Sequence, residues 1–207
     1  EGEPLIKSAS DKSWSGTTLP WMSIGYEIHL TPLQTLTFYN AVANNGKMVK
    51  PRFVTHINQR GQTVKEIKPE VIIPFICSQK TIDMAKQMLE GVVENGTAKN
   101  LKNANFKIAG KTGTAQIANK STGYKNATKV SYQASFVGYF PSDKPKYSCI
   151  VVVAAPSRNV YYGNLVAGPI FKEVADKIYA TSFAIHHPLA KRESMAVSKI
   201  PYAKDGY

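Results

Sequence analysis

Two hydrophobic periods alternate along the chain, and the points where they switch delimit its elements. Leu33, Leu36, Tyr39 and Ala43 recur on one helical face, widened by Phe38 and Val42. Thr31 precedes them as an N-cap, Pro32 suits the first helical position, and Asn44-Asn45-Gly46 supplies a stop. A second helix is predicted after Ser78, with Ile82, Ala85, Leu89 and Val92 at helical spacing and Asn95-Gly96 as its end. A third starts near Pro169 and carries Ile170, Phe171, Val174, Ile178 and Tyr179. Between these helices the period falls to two. Residues 51–57 and 63–68 read as short strands about the Arg60-Gly61 turn, and residues 107–116 as a longer strand. In 130–140, Tyr132, Ala134 and Phe136 alternate against Ser131, Gln133 and Ser135. Pro141-Ser142-Asp143-Lys144-Pro145 turns the chain into 147–155, an almost unbroken apolar run that suits a central strand covered on both faces. Residues 1–22, where Trp14 and Trp21 stand among Ser, Thr, Gly and Pro, show no period and read as loop.

Three successive strands and a closing helix predict an α+β fold, an antiparallel sheet flanked by helices. A chain of 207 residues can bury a sizeable core, and 43% hydrophobic with 19% charged residues is a globular rather than a disordered balance. The longest apolar run, Cys149 to Pro156, is far too short to cross a bilayer. Glu1-Gly2-Glu3-Pro4 is acidic and polar, with no signal-peptide pattern. The chain is therefore expected either to be cytoplasmic or to derive from a longer exported parent.

A net charge of +12 raises the question of nucleic acid, yet the lysines are spread along the chain apart from mild concentrations in 120–129 and 191–204. No basic motif interleaved with aromatics is present to stack bases, so a solvated basic surface is the reading and no nucleic acid is expected. An anionic polymer as a neighbour stays compatible. Cys77 and Cys149 lack the spacing of zinc or redox pairs and read as buried free thiols, with a disulfide between them left open. His186-His187 reads as a solvated pair, and Gly110-Lys111-Thr112 is not a P-loop, because Asn105 stands where that motif needs glycine. Asn95-Gly96-Thr97 and Asn126-Ala127-Thr128 have the letters of glycosylation sites.

The chemistry concentrates in Lys111-Thr112-Gly113-Thr114-Ala115-Gln116. A lysine on a strand at a cleft attracts a carboxylate, and neighbouring threonine hydroxyls add directional hydrogen bonds to it. Alternation points Lys111 and Gly113 one way, Thr112 and Thr114 the other. Gly113 leaves room for another backbone or a ligand. A strand edge can bind an extended peptide through its main chain, and a backbone N–H on it can stabilise an acyl-transfer oxyanion. Lys-Thr-Gly is one of three signatures of serine enzymes that react with penicillin; the others are Ser-x-x-Lys and Ser-x-Asn. No Ser-x-x-Lys occurs in these 207 residues. Ser157-Arg158-Asn159 matches Ser-x-Asn in letters, but it follows Lys-Thr-Gly rather than preceding it.

Four blocks in order extend the motif. They are Ser23-Ile24-Gly25-Tyr26 with Leu30-Thr31-Pro32-Leu33-Gln34 and Ala43-Asn44-Asn45-Gly46-Lys47; Ile108 to Gln116; Ala134-Ser135-Phe136-Val137-Gly138-Tyr139-Phe140-Pro141; and Tyr161-Tyr162-Gly163 with Ala167-Gly168-Pro169-Ile170-Phe171. Together they resemble the C-terminal half of the transpeptidase domain of class B penicillin-binding proteins, over about Ser23 to Tyr179. Two positions depart from the family, Glu27 where a small residue is expected and Asn45 where a second glycine is common. Both concern loop geometry.

The resemblance implies an incomplete domain of the penicillin-binding-protein and serine β-lactamase type. Residues 1–182 would form its C-terminal part and 183–207 a C-terminal extension or linker. It implies that Lys111 helps organise a proton relay and attracts the substrate carboxylate, and that Thr112 and Thr114 hydrogen-bond that carboxylate. The Thr114 N–H would be one arm of the oxyanion hole, with Gly113 and Gln116 along the substrate strand. The acylating serine, its lysine and the Ser-x-Asn would lie upstream, so this chain alone is expected to be inactive. The parent would be a D,D-transpeptidase anchored in a bacterial cytoplasmic membrane with its catalytic domain outside, while the fragment itself is soluble. Its partners would be peptidoglycan stem peptides, β-lactams, the missing half of the domain and other cell-wall synthesis proteins. No metal or organic cofactor is implied. The rival readings are a serine β-lactamase or penicillin-sensing receptor domain, and a non-catalytic module for an anionic polymer.

Overall fold

Local chemistry fixes where the helices begin. In the computed structural model, which describes residues 2–117, 131–157 and 160–182, a short helix α1 (Thr18–Ser23) precedes α2 (Pro32–Ala43). A capping box starts α2: the Thr31 hydroxyl accepts from the Gln34 N–H at 3.2 Å, and Gln34 Oε1 accepts from the Thr31 N–H at 2.9 Å. The next helix, α3 (Gln79–Glu94), is capped by the Ser78 hydroxyl, which accepts from the Thr81 N–H at 3.2 Å. Each such cap stabilises its helix by roughly 1 kcal/mol. The last helix, α4 (Gly163–Thr181), closes the described chain.

Small antiparallel pairs decorate the N-terminal half: β1 (Leu5–Ile6) with β2 (Ile28–His29), β3 (Met48–Val49) with β6 (Val71–Ile73), and β4 (His56–Gln59) with β5 (Gln62–Glu66). The β4–β5 hairpin turns through Arg60 and Gly61, both at positive φ, as a two-residue turn matched to strand twist requires. The main sheet has three antiparallel strands in the order β7 (Ala109–Ile117), β8 (Ser131–Phe140), β9 (Tyr147–Ala154). On one face, Phe136 and Phe140 of β8 pack with Phe171, Ala167 and Ala175 of α4, joined by Val93, Ala98, Leu101 and Ile108. On the other, Tyr139 and Ala109 meet Ala43 of α2 and Leu89 of α3. Each large side chain buried here contributes roughly 1.5–3 kcal/mol.

The α+β architecture and the three helices are as the sequence predicts; several details differ. Residues 1–22 are not all loop, since β1 and α1 lie there. The strand expected over 51–57 begins only at His56, and β6 was not expected. The long strand begins at Ala109 rather than residue 107. The apolar run of β9 forms an edge of the described sheet, and β8 takes the centre. Helix α4 starts at Gly163 and carries Pro169 inside it, because proline's missing N–H leaves only the Leu165 carbonyl without its helical donor. Cys149 is half-buried, but Cys77 is exposed; both are free thiols, so the disulfide is not formed. Glu27 and Asn45, the two departures from the family pattern, both adopt left-handed backbone, at φ 63° and 54°. That is the conformation for which glycine carries no Cβ penalty. Glu27 lies 3.0 Å from Lys7 Nζ as an ion pair.

Candidate functional site

Strand β7 has a strand neighbour on one side only, so its other edge is open among the described residues. Lys111, Thr114 and Gln116 are exposed along it, and Thr112 and Gly113 are half-buried. All five predicted site residues therefore stand on one strand, held in register by β8: Lys111 opposite Val137, Gly113 opposite Ser135, Gln116 opposite Tyr132.

Each hydroxyl of the motif is supported from behind the strand. Thr112 Oγ1 lies 3.3 Å from Thr97 Oγ1, in the connection leaving α3. Thr114 Oγ1 accepts from the Gly163 N–H at 3.2 Å, where α4 begins. The alternation expected for the strand thus holds: the threonines face the α4 side. The Lys111 ammonium bends onto its neighbour, donating to the Thr112 carbonyl at 2.9 Å with Thr112 Oγ1 at 3.5 Å. It makes no ion pair among the described residues, so its charge is available to an anion at the edge.

The room at Gly113 is shared within the fold. A Cβ there would lie 2.4 Å from Ser135 Oγ, and a Cβ on Gly163 would lie 2.6 Å from the Gly113 carbonyl oxygen. Glycine at 163 lets helix and strand meet through their backbones, while glycine at 113 makes room for the Ser135 hydroxyl across the ladder.

Three tyrosines bound the far end of the strand. Tyr132, opposite Gln116, stacks on Tyr161 with ring centroids 3.9 Å apart and planes within 9°, and Tyr161 leads to Tyr162 at 4.8 Å. The hydrogen bond with Tyr162, then the charges of Tyr162 and Tyr132, push the Tyr161 phenol above its ordinary value. No motif in the sequence marks these rings as part of the site. The signal was present in the Tyr161-Tyr162-Gly163 block, but its proximity to β7 depends on a chain reversal that no local pattern encodes. Pairs of stacked rings beside a polar strand offer an apolar wall next to hydrogen-bonding groups.

No group of three or more His, Cys, Asp or Glu residues is placed to hold a metal among the described residues. None of the described helices is long and apolar enough to cross a membrane. The segment Asn119 to Lys125, the Asn126 sequon, Arg158-Asn159, His186-His187 and the tail from residue 183 lie outside the described residues.

The sequence profile of the penicillin binding protein transpeptidase domain matches residues 3–176. The peptidoglycan D,D-transpeptidase FtsI of Buchnera aphidicola is 31% identical over 175 residues, covering 84% of this chain and 28% of the relative. Penicillin-binding protein H of Bacillus subtilis is 35% identical over 152 residues, covering 70% and 21%. Penicillin binding protein 3 of Mycobacterium tuberculosis, solved in complex with ampicillin, superposes with a TM-score of 0.74 at 28% identity, over 91% of this chain and 42% of that one. This chain spans about a quarter of the length of the curated relatives it matches. By profile, identity and fold, the chain belongs to the penicillin-binding protein transpeptidase domain family.

Proposed function

We propose that this chain supplies the substrate-strand half of a peptidoglycan D,D-transpeptidase site. Its observation of most weight is the open edge of β7, where Lys111 and Thr114 are exposed and the Thr112 and Thr114 hydroxyls are braced by Thr97 and Gly163. A stem peptide lies along that edge as an added strand, its terminal carboxylate held by Lys111, Thr112 and Thr114. Gly113 and Gln116 flank the peptide, and the Thr114 N–H meets the oxyanion.

The nucleophile comes from protein outside these 207 residues, which contain no Ser-x-x-Lys. Its serine oxygen attacks the penultimate D-alanine carbonyl, the peptide C–N bond breaks, and D-alanine leaves with the serine's proton. An amine from a neighbouring strand then forms the new amide and returns a proton to the serine. A β-lactam opens its ring amide on the same serine, no fragment departs, and the acyl-enzyme persists. Lys111 assists the proton transfers by its charge. Residues 1–182 belong to this domain and 183–207 to an extension. The whole protein acts on the outer side of a bacterial cytoplasmic membrane beside other cell-wall synthesis proteins.

Fluorescent-penicillin labelling of this chain beside the whole gene product, read on a denaturing gel, tests the reading. A labelled whole protein and a dark fragment are expected. A labelled fragment would place a reactive serine inside these residues and overturn the half-site, and two dark bands would remove the transpeptidase.

A further inference from the structure

Gly163 is where α4 reaches the edge strand. Its N–H donates to Thr114 Oγ1 at 3.2 Å. The residue is buried, and a Cβ on it would lie 2.3 Å from the Ser135 carbonyl oxygen, 2.6 Å from the Gly113 carbonyl oxygen and 3.2 Å from the Gly113 nitrogen. These are backbone atoms of two paired strands and cannot swing aside as a side-chain tip can. Any larger residue moves the start of α4 away from β7. From the other side, Asn100 Nδ2 donates to the Asn164 carbonyl at 2.7 Å and ties down the same turn.

A hydroxyl offers one proton and two lone pairs. With one lone pair engaged by the Gly163 amide, the Thr114 proton is turned away from α4, and Thr114 is exposed to receive a ligand there. The amide belongs to the first turn of a 19-residue helix, where N–H groups lack intrahelical acceptors and carry partial positive charge. The hydroxyl is thereby set as a donor backed by positive potential, which favours an anionic acceptor over a neutral one.

We infer that Gly163 is a positioning residue for carboxylate recognition: it lets α4 approach closely enough to hold the Thr114 hydroxyl as a donor to the ligand's carboxylate. The inference rests on the transpeptidase reading of β7. It assigns Gly163 no contact with the ligand, only control of the group that makes one.

The test compares acylation of the whole gene product by benzylpenicillin and by its methyl ester, which lacks the carboxylate charge. The readout is the acid-to-ester rate ratio, because a uniform loss of folded protein cancels from it. Gly163→Ala is expected to lower the ratio about 10-fold or more, as losing one hydrogen bond to a charged group does. Asn100→Ala, at an exposed side chain, is expected to lower it by about 2- to 5-fold. Thr114→Ser retains the ratio, Thr114→Val lowers it, and Gly163→Ala added to Thr114→Val lowers it no further. Equal loss for acid and ester in Gly163→Ala would leave only a packing role and overturn the inference. If Gly163→Ala does not fold, the Asn100→Ala ratio decides, and an unchanged ratio overturns it. A wild-type protein acylated equally by acid and ester sinks the inference alone. One acylated by neither sinks the transpeptidase reading and the inference with it.

Discussion

A Cβ placed on Gly113 would lie 2.4 Å from the Oγ of Ser135, its partner across the β7–β8 ladder. The glycine of the Lys-Thr-Gly motif is therefore tied to strand packing, beside the ligand-binding role proposed for it. Because Ser135 Oγ can rotate away, Gly113→Ala is expected to cost about 1 kcal/mol rather than unfold the sheet. Adding Ser135→Ala should restore the melting temperature of the whole protein while penicillin labelling stays weak. Recovery of both together would assign Gly113 to packing alone.

Tyr139 is fully buried, and its hydroxyl has no hydrogen-bond partner among the described residues. Burial, aided by the Glu90 charge, pushes its phenol up to about 12. The folded form keeps the proton where the unfolded chain loses it, so this contribution is intact below pH about 10 and is lost as pH rises toward about 12, at about 1.4 kcal/mol per pH unit. Tyr139→Phe is expected to remove that alkaline decline and to raise stability by about 1 kcal/mol at neutral pH. Urea midpoints measured from neutral pH to about pH 11 check both. An alkaline limb surviving in Tyr139→Phe would assign it to another group.

Glu90 on α3 accepts from Lys107 Nζ and from the Ser142 hydroxyl, each at 2.6 Å. The Lys107 hydrogen bond, then that of Ser142, holds its carboxyl below the ordinary 4.5. A lowered carboxyl stabilises the fold above its unfolded value and loses that contribution as pH falls through the folded one. Ser142→Ala is expected to cost about 1 kcal/mol at neutral pH and to make the acid-unfolding limb shallower. Acid titrations of stability for both proteins, followed by circular dichroism, give the comparison; superimposable curves refute it.

Phe53 is 88% exposed, Phe75 75% and Ile24 69%, and among the described residues β9 keeps an open edge despite its apolar sequence. Exposed apolar area and an unpaired strand edge each drive association. The isolated chain is expected to sediment as concentration-dependent oligomers, with a lysine at Val152 in the edge strand shifting them toward monomer. A chain that stays monomeric at all accessible concentrations would contradict this.

Much of this fold is legible because its signals are local. Thr31 with Pro32 and Gln34, and Ser78 with Thr81, start helices through contacts within one turn. Arg60-Gly61 makes its hairpin from two adjacent dihedrals. Even Glu27 and Asn45, noticed only as departures from a family pattern, mark left-handed residues. Pro169 misled the start of α4, because a proline ordinarily marks a helix's first turn, whereas here the helix runs through it.

The residues of Lys111 to Gln116 and their common strand were determined by the sequence, since period and motif are carried by neighbouring positions. Which atoms stand behind them was decided only by tertiary structure. Thr97 is 15 residues from Thr112, and Gly163 is 49 from Thr114. Such contacts form when helices fold back on a sheet, and no local pattern records the distance of approach. The edge position of β9 is of the same kind: its apolar sequence reports burial, while its neighbours are set by strand pairing across the whole sheet.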